Sequence, residues 1–304
     1  MYKERLRGVV IPTIVPMNED NSIDYISLKS FTNYLVEAGV NALYPNGTNG
    51  ESLLLSKEER EHIAEVMAET NAHRLPLFIQ CGSMTTADTA SHAQHAVKIG
   101  ADGIGVMSPA FFGMDEEALF QYYSAVIEKL PSDFPVYVYN IPGCTTNDVT
   151  PKLLRRLMAA YKNIVGIKYS SPNLMRVEDY LNTDGRVPQL LIGCDSLVLQ
   201  CLTAGGVGTV TGPGCIFYHR FIRLFKQFHE GDFRGAMETQ KKIVETDRRM
   251  EGIPGIPALK TLLMLKGVIR TDTCRLPIRP LTGDERKTLA DVYEEYCKEE
   301  GLNG

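Results

Sequence analysis

The 304-residue chain has no Cys-x-x-Cys pair, no Gly-x-Ser-x-Gly elbow, and no Gly-x-Gly-x-x-Gly after its first apolar run. The first absence removes the usual dithiol and zinc-ribbon signatures. The second removes the nucleophile turn of an α/β-hydrolase. The third argues against a dinucleotide fold, because the first run ends in Pro16-Met17-Asn18-Glu19-Asp20 with no glycine to admit a pyrophosphate. No segment reaches the roughly 18 consecutive apolar residues needed to cross a bilayer, and the start Met1–Arg7 lacks an apolar leader core. The net charge of -5 leaves no basic face for phosphate backbones, so neither nucleic acid nor membrane is an expected partner. Seven cysteines, an odd number, are scattered along the chain, which suits free thiols in a reducing cytoplasm. Metal binding has little support. His92 and His95 share a helix face without a third ligand, as a solvated surface would, and His62, His73, His219 and His229 show no ligand spacing. No cofactor and no metal are expected.

What is present is an alternation. Apolar strand runs occur at 9–16, 42–45, 76–82, 103–108, 135–141, 164–170, 190–193 and 206–211, with helical periodicity between them. Ser56-x-x-Glu59 reads as a capping box, and Thr150-Pro151 as an N-cap with a first-turn proline. Gly39 and Gly100 stop the helices before them. Parallel strands need helical crossovers, and eight strand–helix units fit a closed (β/α)8 barrel. A doubly wound open sheet is the runner-up. We expect the barrel over residues 1–216 and a helical extension over 217–304, with helices at 222–229, 233–250, 256–266 and 284–300. The clearest break in the extension is Gly252-Ile253-Pro254-Gly255-Ile256-Pro257.

Barrel chemistry sits at the C-terminal ends of the strands, and unusual residues fall there. Lys168 interrupts the apolar run Ile164-Val165-Gly166-Ile167-Lys168-Tyr169-Ser170. A buried ammonium is costly unless paired or solvated, desolvation favours the neutral amine, and a neutral amine attacks carbonyl carbon. A lysine at a strand end pointing into solvent is the plainer reading. Gly47-Thr48-Asn49-Gly50-Glu51 can aim a hydroxyl, an amide and backbone N–H groups at a carboxylate, or it can be an ordinary Asn-Gly turn. Tyr137 and Tyr139 share a strand face, and a phenol beside an amine can relay protons; two core tyrosines would look the same. Asp195 and Ser196 could bind substrate hydroxyls or cap the next helix.

Taken together and in order, these loops resemble the dihydrodipicolinate synthase/N-acetylneuraminate lyase family over nearly the whole chain. Gly47-Thr48-Asn49-Gly50-Glu51 is similar to the family's Gly-[Thr/Ser]-Thr-Gly-Glu, Tyr139-Asn140-Ile141-Pro142 to its Tyr-Asn-x-Pro, and Gly166-Ile167-Lys168 to its Gly-[Ile/Val]-Lys. The resemblance implies a (β/α)8 barrel, a homotetramer built as a dimer of dimers, and action on 2-oxo acids through a lysine imine. Carried over, Lys168 forms the imine with pyruvate or a longer oxo acid, Tyr139 shuttles the proton, and Thr48, Asn49 and Gly50 hold the carboxylate. Val210 borders the imine.

Three departures bear on substrate. Dihydrodipicolinate synthases carry an arginine where this chain has Cys144, and a cysteine cannot replace a bidentate guanidinium. Their interface tyrosine falls in Pro109-Ala110-Phe111-Phe112, which has no phenol. Lyases acting on N-acetylneuraminate carry Asp-Glu where this chain has Asp195-Ser196. The resemblance therefore points to cleavage of a 2-oxo-3-deoxy sugar acid or N-acetylneuraminate-like substrate to pyruvate and an aldehyde. Dihydrodipicolinate synthesis is the alternative, and a non-catalytic 2-oxo-acid sensor the third reading.

Overall fold

Residues 5–302 are described by a computed structural model. Among them, strands and helices follow one another as β1 (Gly8–Ile11), α1 (Tyr25–Glu37), β2 (Ala42–Leu43), α2 (Lys57–Asn71), β3 (Phe78–Gln80), α3 (Thr86–Lys98), β4 (Gly103–Met107), α4 (Glu116–Ile127) and β5 (Val136–Asn140). The chain continues through α5 (Pro142–Thr145), α6 (Pro151–Ala160), β6 (Ile164–Tyr169), α7 (Leu174–Leu181), β7 (Gln189–Ile192), α8 (Val198–Thr203) and β8 (Gly208–Val210). Four helices end it: α9 (Gly214–His229), α10 (Phe233–Arg249), α11 (Gly255–Leu265) and α12 (Gly283–Glu300).

The strands pair in parallel in the order β2-β1-β8-β7-β6-β5-β4-β3. A parallel bridge between Leu43 and Leu77 joins the two ends. There the Leu43 N–H donates to Pro76 C=O at 3.0 Å and the Gln80 N–H to Pro45 C=O at 3.0 Å. An open doubly wound sheet would leave both ends unpaired, so the barrel reading holds and the runner-up falls.

Local chemistry sets the element ends. The Ser56/Glu59 capping box opens α2, and Thr150 accepts from the Leu153 N–H at the start of α6 with Pro151 in its first turn. β1 stops at Ile11 instead of running on to residue 16, because Pro12 has no N–H to continue a ladder. α9 begins at Gly214, eight residues before the helical start expected at 222 and inside the stretch assigned to the barrel. Thr211 Oγ1 accepts from the Gly214 N–H at 2.9 Å and fixes that start, and Phe217 bends the helix one turn on.

Two apolar regions hold the barrel. Inside it, Leu6, Val10, Tyr44, Phe78, Tyr137 and Leu191 pack as one cluster. Its N-terminal end is closed by the Leu6 N–H donating to Tyr137 Oη (3.0 Å), whose own O–H donates to Gln189 (2.6 Å). Gly105 makes room for the Tyr44 ring: a Cβ there would lie 1.6 Å from the phenol oxygen. The larger core lies between strands and helices. It joins Ile11, Val138 and Ile167 to Phe221, Leu262 and Leu289, so the C-terminal helices share the barrel's own core. All seven cysteines are unpaired.

Candidate active site

Side-chain alternation along β6 sends Lys168 to the barrel interior in register with Tyr139 of β5 and Leu191 of β7. The amine does not turn out to bulk water. The residue is buried, and Nζ lies 3.8 Å from the Tyr139 ring centroid and 5.0 Å from that of Tyr44. Among the described residues Lys168 has no ion-pair partner. Two aromatic faces, whose quadrupoles favour a cation, are what surround it. It opens into a cavity of about 400 Å³ whose polar wall is Thr48, Asn49, Tyr139, Ser170 and Asp195.

Thr48 comes from the loop after β2. Its hydroxyl lies 3.3 Å from Tyr139 Oη, so a strand-end phenol and a loop hydroxyl form one hydrogen-bonded pair beside the amine. Asn46 and Glu51, at the two ends of this loop, both adopt left-handed backbone conformations, φ +61° and +54°. Within the turn, the Gly50 N–H donates to Gly47 C=O (3.2 Å) and the Glu51 N–H to Thr48 C=O (3.0 Å). Among the described residues no protein acceptor takes the N–H groups of Thr48 and Asn49. Those two donors are left for an anion, whereas the Gly50 N–H is already committed to the turn. Asn49 Nδ2 reaches Pro12 C=O at 3.4 Å.

The loop is braced from behind. Glu51 is fully buried and its carboxylate lies 2.5 Å from Nζ of Lys260 on α11, equally buried. The Arg275 N–H donates to the same carboxylate (2.9 Å), and Lys260 also donates to Thr273 C=O (2.7 Å). Nothing in the sequence pattern pairs these residues; only the path of the C-terminal segment does.

Asp195 opens a short turn, Asp195–Leu197, after β7 and lines the cavity. Its Oδ1 is sealed from solvent without a hydrogen-bond partner. Burial pushes the carboxyl well above the usual range, the nearby Asp247 carboxyl pushes it further, and a hydrogen bond to Thr211 opposes both. Gln240 of α10 clamps the turn, donating to Asp195 C=O and accepting from the Leu199 N–H, both at 2.9 Å. Val210, on β8, also lines the cavity.

Two residues singled out in the sequence lie elsewhere. Ser196 is not on the cavity wall; its hydroxyl sits 3.3 Å from Cys194 Sγ. Phe111 is 78% exposed at the tip of the loop after β4, with φ +74° and its ring edge-on to Phe112. Sequence reasoning missed Ser170 and the apolar wall of Met250, Ile253, Ile256 and Leu259. The Gly-Ile-Pro-Gly-Ile-Pro break was the available signal: apolar residues in a loop need something to cover. The solvated His92–His95 face also needs correction. α3 packs against α2, His92 is buried and pushed down to about 3 by desolvation, and His95 bonds Glu65 at 3.0 Å. No metal-ligand cluster occurs among the described residues, and no helix among them is long and apolar enough to cross a membrane.

Comparison with known proteins agrees with this fold. The Dihydrodipicolinate synthetase family profile matches residues 5–296. A 4-hydroxy-tetrahydrodipicolinate synthase of Gluconacetobacter diazotrophicus is 32% identical over 296 residues, covering 96% of this chain and 97% of that protein. Another, from Bartonella bacilliformis, is 30% identical over 292 residues, 96% and 98% of the two chains. Among solved structures, dihydrodipicolinate synthase from Aquifex aeolicus superposes with a TM-score of 0.91 at 26% identity, covering 96% of this chain and 98% of that one. A prophage protein of the dihydrodipicolinic acid synthase family from E. coli K12, solved in complex with pyruvate, gives 0.90 at 26% identity, covering 95% and 98%. An eight-stranded barrel with a buried lysine at its mouth, matched end to end by these relatives, belongs to the dihydrodipicolinate synthetase family and is a lyase of the class I aldolase kind.

Proposed function

We propose that Lys168 condenses with the oxo carbon of a 2-oxo acid, and that the protein reversibly cleaves a 2-oxo-3-deoxy sugar acid or N-acetylneuraminate-like substrate to pyruvate and an aldehyde. One observation carries the reading: the Lys168 amine faces Tyr139, which is joined at 3.3 Å to Thr48 of the turn with the two free N–H groups. The pyruvate complex of the E. coli relative supports it.

The substrate carboxylate sits on the free N–H groups of Thr48 and Asn49. The amine adds to the oxo carbon, the carbinolamine loses water, and the aromatic faces of Tyr139 and Tyr44 support the cationic iminium. That iminium draws in the electrons of the breaking C3–C4 bond and leaves an enamine. The C4 hydroxyl passes its proton to Tyr139 Oη as the phenol passes its own to Thr48 Oγ1 and that hydroxyl passes its proton to the bound carboxylate; C4 departs as the aldehyde carbonyl, and the same relay run backwards protonates C3 of the enamine. Protonation of the enamine and hydrolysis release pyruvate. Asp195 receives a hydroxyl of the aldehyde half. In this reading the chain assembles as a homotetramer, and the exposed Phe111 and Phe112 supply apolar contact between copies.

A second reading, condensation of pyruvate with aspartate semialdehyde, is favoured by the relatives' names. Cys144, at the position where the family resemblance implies an arginine in dihydrodipicolinate synthases, counts against it.

Incubation with pyruvate and borohydride tests the chemistry. We expect a reduced pyruvyl group on the Lys168 peptide in the wild type and none in Lys168→Ala; an unmodified Lys168 overturns the reading. Tyr139→Phe should lower kcat about 100-fold or more while pyruvate binding changes little. Equal losses in both would remove the proton shuttle. Pyruvate release across a series of oxo acids, set against condensation with aspartate semialdehyde, separates the two readings.

A further inference from the structure

A second chamber of about 180 Å³ opens beside Thr48. Thr48 and Ile256 stand in the walls of both chambers, so the smaller one adjoins the Thr48 turn at which the substrate carboxylate is anchored in the reading above. Its walls are mainly Leu53, Leu54, Ala110, Cys144, Ile256 and Ile278. Among the described residues lining either chamber, Lys168 is the only cation, and it is committed to the imine. Glu51 also borders the small chamber, but its charge is already matched by Lys260. A second carboxylate entering here would meet apolar walls and no unmatched cation among the described residues. An alkyl or aryl group would lose nothing and would bury apolar surface.

We propose that this side chamber is the subsite for the substituent of the aldehyde fragment, and that it selects an uncharged, largely apolar group over a carboxylate. The inference rests on the imine reading above. The larger chamber, with Asp195 and Ser170 on its wall, is left for hydroxyl groups.

The experiment runs the reaction in the condensing direction. The enamine carbon of Lys168-bound pyruvate attacks the aldehyde carbon, a C–C bond forms, the aldehyde oxygen takes up a proton, and water frees the 4-hydroxy-2-oxo acid. Butanal and succinate semialdehyde share a chain and differ by a methyl against a carboxylate. We expect the wild type to use butanal with kcat/KM at least about tenfold higher. Cys144→Arg should narrow or reverse that ratio. Ala110→Phe, which fills the chamber, should lower use of butanal about tenfold relative to the shorter glycolaldehyde, with borohydride trapping of pyruvate unchanged.

Equal or better use of succinate semialdehyde by the wild type would overturn the inference. So would an Ala110→Phe variant whose aldehyde ranking is unchanged. If that variant instead alters the sedimentation coefficient, the chamber is filled by the aromatic loop of another copy, and the inference fails. Trapping of pyruvate without the expected ranking sinks this inference alone. Absence of trapping in the wild type sinks the imine reading and this inference with it.

Discussion

Glu51 and Asp195 both follow barrel strands and both have oxygens withdrawn from water, yet the protein treats them in opposite ways. Glu51 faces a buried ammonium at 2.5 Å and accepts a backbone N–H. Among the described residues no cation stands against Asp195; each acid has one oxygen without a hydrogen bond, but the one on Asp195 has no ammonium in front of it, and a second carboxyl, Asp247, stands close enough to push its pKa up. Successive C-terminal helices make the difference, since α11 brings Lys260 and α10 brings Asp247. Burial is common to the two acids, so burial alone distinguishes nothing. A carboxylate whose charge is matched by a buried ammonium is holding the fold together. One left unmatched on a cavity wall is held at a cost that a substrate can offset, which is why perturbed acids gather at functional sites.

The largest effect should come from unmatching the matched one. Lys260→Met removes the ammonium and leaves Glu51 buried beside a thioether. Breaking a buried pair from one side typically costs about 3–5 kcal/mol, because the surviving charge loses its compensation. Urea denaturation should show a loss of that size. Adding Glu51→Leu should restore most of it, since replacing both partners by apolar groups is often near neutral. A loss below about 1 kcal/mol in Lys260→Met would mean that the pair is not a brace. The single variant should also weaken pyruvate trapping, because the Thr48 turn is anchored through Glu51.

Much of this was legible in the sequence wherever a local rule decided the outcome. Caps at Ser56 and Thr150 and the alternation of strand and helix are properties of neighbouring residues, and the barrel follows from counting them. Lys168 was legible for the same reason: a charge in a doubly covered strand needs an explanation wherever the strand lies. The tiny helix α5 was not, since Pro-Gly-Cys-Thr reads equally well as a turn. For Asp195 the sequence left cap and ligand open. No side chain caps α8, and the carboxyl lines the cavity instead. The Tyr139–Thr48 contact and the Glu51–Lys260 pair join segments far apart in the chain, with no periodicity to announce them. The His92 misreading has the same root, because a helix face turns polar or buried according to what packs on it, here α2.

The unmatched acid should reveal itself by the sign of its pH dependence, a smaller effect. Asp195 has a folded pKa raised above its ordinary 3.8, by burial first and Asp247 second. The unfolded chain therefore gives up this proton at a lower pH than the folded one does. From about pH 4 upward, until the folded carboxyl also ionises, the native state binds more protons than the unfolded state, and stability falls as pH rises. Asp24 is the opposite case: its folded pKa is lowered to about 2, so what it contributes is present above about pH 4 and is lost on acidification. Asp195→Asn keeps the shape and removes the titration. The difference between wild type and variant, measured by urea denaturation near pH 5 and pH 8, should change by on the order of 1 kcal/mol, with the wild type losing ground at the higher pH. Asp247→Asn should shrink the same difference, because it takes away the second cause of the shift. Parallel stability profiles for wild type and Asp195→Asn would mean that Asp195 is as well compensated as Glu51, and the contrast between the two acids would be gone.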